Sequence, residues 1–323
     1  MRVAVTGGTG FVGRHLVGAL VERGDDVAAL VRSPGKAEAL RARGCRLVEG
    51  DLEDGAARGA LVSGAEVVYH VAGRVEAPSL AEFRRVNRDA AALLARDAAE
   101  AGVSRFLLVS SLAVTGPSPR GRSLDESSGP GPVTQYGRSK QEGETAVRAT
   151  GVPLTVVRPP AVYGPGDRAF LVLFRLVAGR GVFPLLGDGR QELSLVFAGD
   201  LARALVAAAT SPATLGGTYH AAHAEVVSQR ELGEALGRAL GRSVRFVRLP
   251  GPLLVALLHA GRALGRVAGR ARLPAPDKAH ELLAPAWRAS SEALGRDAGW
   301  TAEVPVERGF AVTASAYREA SWI

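Results

Sequence analysis

The chain has one cysteine, Cys45, and one methionine among 323 residues. A single thiol forms neither an internal disulfide nor a metal cluster, and this usage suits a reducing cytoplasm. The six histidines include one close pair, His220 and His223, with no carboxylate or thiol at a ligand spacing, so no metal site is expected. Aromatic residues make up only 5% of the chain. They are not interleaved with the basic residues, which number 40 Lys+Arg against 32 Asp+Glu for a formal charge of +8. Arg41, Arg96, Arg148, Arg203 and Arg238 are scattered along helical segments, so no stripe suited to a nucleic acid is expected. Long apolar runs are also missing. The most apolar stretch, Leu249–His259, holds two prolines and soon meets Arg262 and Arg266, well short of the ~20 residues that span a bilayer. Stable membrane insertion is therefore not expected. A helix lying on the membrane with its arginines toward lipid phosphates stays open as weak association, beside the reading of a helix that roofs a pocket. Met1–Val5 runs straight into a Gly-rich turn and leaves no room for a signal peptide, so a cytoplasmic protein is expected.

What is present is an ordinary globular composition, 47% hydrophobic and 22% charged, in a chain long enough for one large domain or two of ordinary size. Val3–Thr6, Asp26–Val31, Arg46–Glu49, Glu66–Tyr69, Arg105–Ser110 and Leu154–Arg158 read as buried strands, separated by segments of helical length that include a long helix over Leu80–Ala101. This alternation predicts an α/β fold, a doubly wound parallel sheet of Rossmann type. Past residue 165 the alternation loosens, with turns at Gly187-Asp-Gly189 and Gly216-Gly217 and helices near Gln229–Leu240, Pro252–Val267 and Val306–Tyr317. We expect a dinucleotide-binding domain over 1–165 and a smaller substrate-binding lobe over 166–323, with strands from about 190–222 returning to the main sheet. Gly116–Pro132 reads as a surface loop.

Gly7, Gly10 and Gly13 stand between a strand and a helix that opens with Phe11 and Val12. There a turn without side chains lets backbone N–H groups and the helix dipole meet a pyrophosphate. The tip of the second strand offers no carboxylate for a ribose 2′-hydroxyl; it reads Arg32-Ser33. A guanidinium there suits a 2′-phosphate, so NADP(H) is favoured, with Ser33 and Lys36 as helpers; NAD(H) stays open, with Arg32 as a surface charge.

Tyr136 and Lys140 stand one helical turn apart, and an ammonium at that distance favours the phenolate of a residue that otherwise titrates near ~10. Ser111 ends the fifth strand, at the edge where parallel sheets bind ligands. With Ser111-Leu-Ala-Val-Thr-Gly116 and Tyr136-Gly-Arg-Ser-Lys140, the chain resembles the extended short-chain dehydrogenases/reductases, the NAD(P)-dependent epimerase/dehydratase family. The resemblance implies Ser111 on the substrate oxygen, Tyr136 as acid/base, and Lys140 lowering the tyrosine pKa and holding the nicotinamide ribose; Ser110 is the lesser occupant of the serine role. It implies cofactor contacts at Asp51 and Leu52, at Val71 and Ala72, and at Pro159 and Val162. Asn87 is either a cofactor contact or a helix-packing residue, and Asp200 a structural cap.

Departures narrow the reaction. Dehydratases of this family carry an Asp-Glu pair where this chain has Leu112-Ala113, and nucleotide-sugar members often carry an arginine where it has Leu193, with Arg190 as a substitute. The segment Arg158-Pro-Pro-Ala-Val-Tyr-Gly164 resembles the dihydroflavonol reductase and 3β-hydroxysteroid dehydrogenase branches. The expected activity is reversible ketone/alcohol oxidoreduction on a small, apolar or β-oxygenated substrate. A sugar epimerase with tightly bound NAD is the alternative, and a non-catalytic NADP(H) sensor a minor one. The resemblance also implies a homodimer through Leu80–Ala101 and Gln135–Ala149.

Overall fold

The computed structural model describes the backbone of residues 1–267 and 277–323, and the side chains of 1–261 and 277–323. The expectation for the Arg262 and Arg266 side chains falls outside these described residues. From the N-terminus, β1 (Arg2–Thr6) leads through α1 (Phe11–Glu22) to β2 (Asp26–Val31), and α2 (Glu38–Arg41) precedes β3 (Arg46–Glu49). Then α3 (Gly55–Val62) joins β4 (Val67–His70), and a helical run of α4 (Leu80–Arg84), a π-helical stretch Arg85–Ala90 and α5 (Ala91–Glu100) reaches β5 (Arg105–Val109). Helix α6 (Gln135–Arg148) connects to β6 (Leu154–Arg158). The remainder comprises β7 (Ala161–Tyr163), α7 (Leu171–Arg180), β8 (Val182–Leu186), β9 (Glu192–Phe197), α8 (Ala198–Thr210), β10 (Thr218–His220) and β11 (Val226–Ser228). It ends with α9 (Gln229–Leu240), β12 (Arg245–Leu249), α10 (Gly251–Val267), α11 (Lys278–Leu282), β13 (Ala286–Trp287), α12 (Glu292–Ala298) and α13 (Val306–Glu319).

Seven strands form one sheet in the order β10-β6-β5-β4-β1-β2-β3. Every pairing in it is parallel. Because side chains alternate along a strand, Val3, Val5, Val27, Ala29 and Val31 pack with Leu16 and Leu20 of α1 and Leu205 of α8, on one face. Ala4, Ala28, Leu30, Val68 and Phe106 pack with Leu61 of α3 and Leu94 of α5, on the other. The strand order reverses between β1 and β4, which opens a crevice at their carboxyl ends where Thr6 pairs with His70.

Of the stretch from about 190–222, β10 closes the edge of the main sheet against β6, and α8 packs beneath it against α1. Strand β9 lies in a second sheet instead, between β11 and β13, with β7 paired to it as well. The lobe core is aromatic: the Phe310 ring lies 4.8 Å from Tyr163 and 5.7 Å from Phe174, edge to face. The long helix expected over Leu80–Ala101 contains a wider turn at Arg85–Ala90, a difference that apolar spacing does not register. That turn carries the buried Asn87.

Candidate active site

The Gly7–Gly13 turn is formed by backbone meeting backbone. Gly7 has φ +73°, and a Cβ on it would lie 2.7 Å from the Ala72 nitrogen, while one on Gly13 would lie 2.0 Å from the Gly7 carbonyl oxygen. Thr6 Oγ1 accepts from the Ala72 N–H at 3.3 Å and shares a 2.7 Å hydrogen bond with His70 Nδ1, so the loops after β1 and β4 are locked together. Burial lowers the His70 pKa to about 3, so its ring is neutral in this junction. The half-buried Phe11 and Val12 open α1, whose first-turn N–H groups have no partner within the helix. This side-chain-free cradle at a helix N-terminus, at the reversal point of the sheet, fits a dinucleotide pyrophosphate.

Arg32 and Ser33 are exposed beyond β2, and Lys36 lines a cavity of about 500 Å³ with Gly8, Thr9, Arg14 and Arg43. Asp51 Oδ1 accepts from the N–H groups of Glu53 (2.8 Å) and Asp54 (3.1 Å), and the Leu52 carbonyl accepts from Arg58 at 2.8 Å, so both shape the turn after β3. Val71 and Ala72 continue β4 into the crevice. The Asn87 side chain is fully engaged: Oδ1 accepts from the Arg74 N–H at 2.7 Å, and Nδ2 donates to the Arg74 carbonyl (2.9 Å) and to Ser139 Oγ (3.0 Å). It ties the loop after β4 to α6. The Pro159 carbonyl accepts from Leu112 N–H at 2.8 Å, and Val162 sits in β7 opposite Val196.

Ser111 caps the short turn Leu112–Val114, its Oγ accepting from Ala113 N–H at 3.1 Å. Helix α6 is capped by Thr134, whose side chain accepts from Gly137 N–H at 3.1 Å. Gly137 brings α6 close: a Cβ there would lie 2.5 Å from the Ala113 carbonyl oxygen. The close approach sets Tyr136 beside Ser111. Burial raises the Tyr136 phenol to about 12, and the neighbouring Ser111 hydroxyl works against that rise. The Lys140 Nζ donates to the Val109 carbonyl at 2.7 Å, and burial lowers its pKa to about 8, with the Glu144 charge opposing. In the chain alone, burial of the phenol outweighs the expected pull of Lys140 toward phenolate.

A buried network behind this trio escapes a reading of local motifs. Arg158 at the end of β6 grips Glu144 of α6 with Nε–Oε1 2.9 Å and Nη2–Oε2 2.6 Å, both residues buried. Ser110 Oγ donates to the same Glu144 Oε1, so Ser110 supports the network while Ser111 faces Tyr136. Arg158 reaches on to Thr115, which shares a 3.0 Å hydrogen bond with His220 Nε2 of β10. The signal was present in two facts: Glu144 follows Lys140 by one helical turn, and a charge ends the apolar run Leu154–Val157. His220 is thus buried in the sheet edge, and His223 bonds the Glu225 N–H at 3.0 Å.

A parallel doubly wound sheet with a glycine cradle at its reversal point defines the dinucleotide-binding class of NAD(P)-dependent enzymes. The model of the NAD dependent epimerase/dehydratase family matches residues 3–222, and the chain belongs to that family. It is 36% identical over 324 residues to a ceramide reductase of Caulobacter vibrioides, covering 99% of this chain and 96% of that protein. It is 35% identical over 177 residues, 53% of each chain, to a 4-hydroxy-2-methyl-3-oxo-4-farnesyl-3,4-dihydroquinoline-1-oxide ketoreductase of Stigmatella aurantiaca. Among solved structures, a UDP-glucose 4-epimerase of Thermotoga maritima superposes with a TM-score of 0.80 at 22% identity, over 99% of this chain and 100% of that one.

Proposed function

We propose that this enzyme reduces a ketone on a long-chain, ceramide-type lipid, using NADPH, with Tyr136 as proton donor. The observation that carries the reading is near full-length similarity to a ceramide reductase, supported by the close packing of the first turn of α6, which holds Tyr136, on the turn that Ser111 caps. The cradle of Gly7, Gly10, Gly13, Phe11 and Val12 would hold the pyrophosphate of NADPH, whose reduced nicotinamide would supply hydride. Ser111 Oγ donates a hydrogen bond to the ketone oxygen and so holds the carbonyl in place. With its pKa at about 12, the Tyr136 phenol keeps its proton at neutral pH and hands it to that oxygen. The ammonium of Lys140 stabilises the phenolate left behind.

Other reactions of the family find less support. Leu112 and Ala113, where a dehydratase carries its acid pair, are buried and offer no proton. Leu193 stands where nucleotide-sugar enzymes place an arginine, and it packs between the two lobe sheet neighbours of β9. Leu253 and Leu257 are 49% and 53% exposed, four residues apart on one face of α10, a surface suited to weak contact with a lipid bilayer. Dimerisation through the surfaces of α4–α5 and α6, and residence in a reducing cytoplasm with Cys45 as a packing residue, belong to the same reading.

The test is identification of any nucleotide that copurifies, followed by absorbance of the reduced nicotinamide with long-chain ketones and either NADPH or NADH. NADPH consumption by an initially empty protein is the expected result. Tightly held NAD with no net consumption would overturn it in favour of an epimerase.

A further inference from the structure

Glu281 has no task in the scheme above, yet it stands on α11, which docks on the first turn of α6, and its charge reaches Tyr136. Asp277 Oδ2 accepts from the Gln135 N–H at 2.7 Å, which docks α11 on the first turn of α6, the turn that carries Tyr136. The Glu281 backbone is held from two other elements, its carbonyl accepting from Trp287 Nε1 at 2.9 Å and from Gln191 Nε2 at 3.1 Å. Its side chain is half committed: Oε1 accepts from Lys278 Nζ at 2.5 Å, while Oε2 is buried and has no hydrogen-bond partner among the described residues. The carboxylate is close enough to add to the upward shift of the phenol. A buried acceptor left without a donor costs folding free energy, and such groups mark places where another molecule supplies the partner.

We infer that Glu281 is a specificity-determining residue, whose Oε2 accepts a hydrogen bond from a neutral donor, a hydroxyl or an amide N–H, carried by the substrate next to the ketone. Lys278 already balances the carboxylate charge, so the vacant oxygen suits a neutral donor rather than an ammonium. This assignment rests on the ketone-reductase reading and adds to it a requirement on the substrate: an acylated nitrogen or a free hydroxyl adjoining the carbonyl.

The experiment compares two ketones of equal chain length in detergent micelles with the full chain and NADPH: N-acetyl-2-amino-1-hydroxyoctadecan-3-one, which carries both donors, and 3-octadecanone, which carries none. The wild type is expected to favour the first in kcat/KM by about ten- to a hundred-fold, mostly through KM. In Glu281→Leu that ratio collapses toward one. In Glu281→Gln, which keeps an acceptor oxygen, part of it returns. The ratio does not depend on how much enzyme is folded, and a purely structural role for Glu281 would leave it unmoved. A wild-type ratio near one, or a ratio kept by Glu281→Leu, overturns the assignment and leaves the reductase standing. A preference for the unacylated 2-amino-1-hydroxyoctadecan-3-one, an ammonium, overturns the neutral-donor claim. No NADPH consumption with either ketone overturns the reductase reading itself, and this inference with it.

Discussion

Around the main sheet the core is made of Val3, Val5, Leu16, Leu20 and their neighbours, whereas the lobe closes on Tyr163, Phe174, Phe310 and Tyr317. The two regions solve different problems. A parallel sheet buried on both faces needs near-continuous runs of short apolar side chains, which successive residues send to opposite faces. The lobe is assembled from short strands brought in from distant parts of the chain, so large rings bridge irregular gaps. The proposed chemistry follows the same division: Ser111, Tyr136 and Lys140 stand on the regular part, and Glu281 enters from the irregular one.

The largest expected effect breaks the chemistry of the regular part alone. Tyr136→Phe should lower kcat by about 10²–10⁴-fold while nucleotide affinity stays close to wild type, as measured by turnover and by fluorescence titration with NADPH. Retained turnover would remove Tyr136 from the scheme. Glu144→Ala leaves Arg158 buried without its partner and should cost about 3–5 kcal/mol in denaturant unfolding. Phe310→Ala in the lobe should cost a similar ~3–5 kcal/mol through the cavity it leaves. Circular dichroism and Trp fluorescence should lose their signals together in both variants, because α8, β10 and α12 tie the lobe segments to the main sheet. Separate transitions would show two independently stable units.

Acid supplies a smaller and graded test. His70 and His220 titrate at about 3 and about 4 in the folded chain, each lowered chiefly by burial, against 6.5 when exposed. Each contributes stability that is complete above 6.5 and lost as pH falls through 6.5 toward the folded value. At pH 5 the loss is about 2 kcal/mol per histidine, checked by urea unfolding between pH 7 and 5. A flat stability profile would contradict it. The smallest effect is expected at Arg32→Ala, where the ratio of kcat/KM for NADPH over NADH should fall about tenfold. An unchanged ratio would leave Arg32 a surface charge.

Where a feature depends on neighbours in sequence, it could be read in advance. The parallel sheet follows from apolar runs alternating with helices, the cradle from glycines at 7, 10 and 13, and the Tyr136–Lys140 face from a spacing of one turn. The wider turn at Asn87 was hidden because its apolar pattern matches that of a regular helix. Asp277 on Gln135 and His220 on Thr115 were hidden for another reason. Those partners are separated by 142 and 105 residues, and only the folded chain brings them together. For β9 and β10 the apolar runs were visible, but nothing local separated the strand that joins the main sheet from the one that does not.

The route of the chain through β10 and α12 also bears on how the protein is made. The edge strand at Thr218–His220 completes the sheet, and Leu294 and Trp300 seal its underside long after the cradle has left the ribosome. A nascent chain halted at residue 165 would carry Ser111, Tyr136 and Lys140 and yet expose an open strand edge and an uncovered apolar face. Synthesis must reach its last few dozen residues before the nucleotide half can close, so truncated products of this gene should aggregate rather than persist as a free cofactor-binding domain.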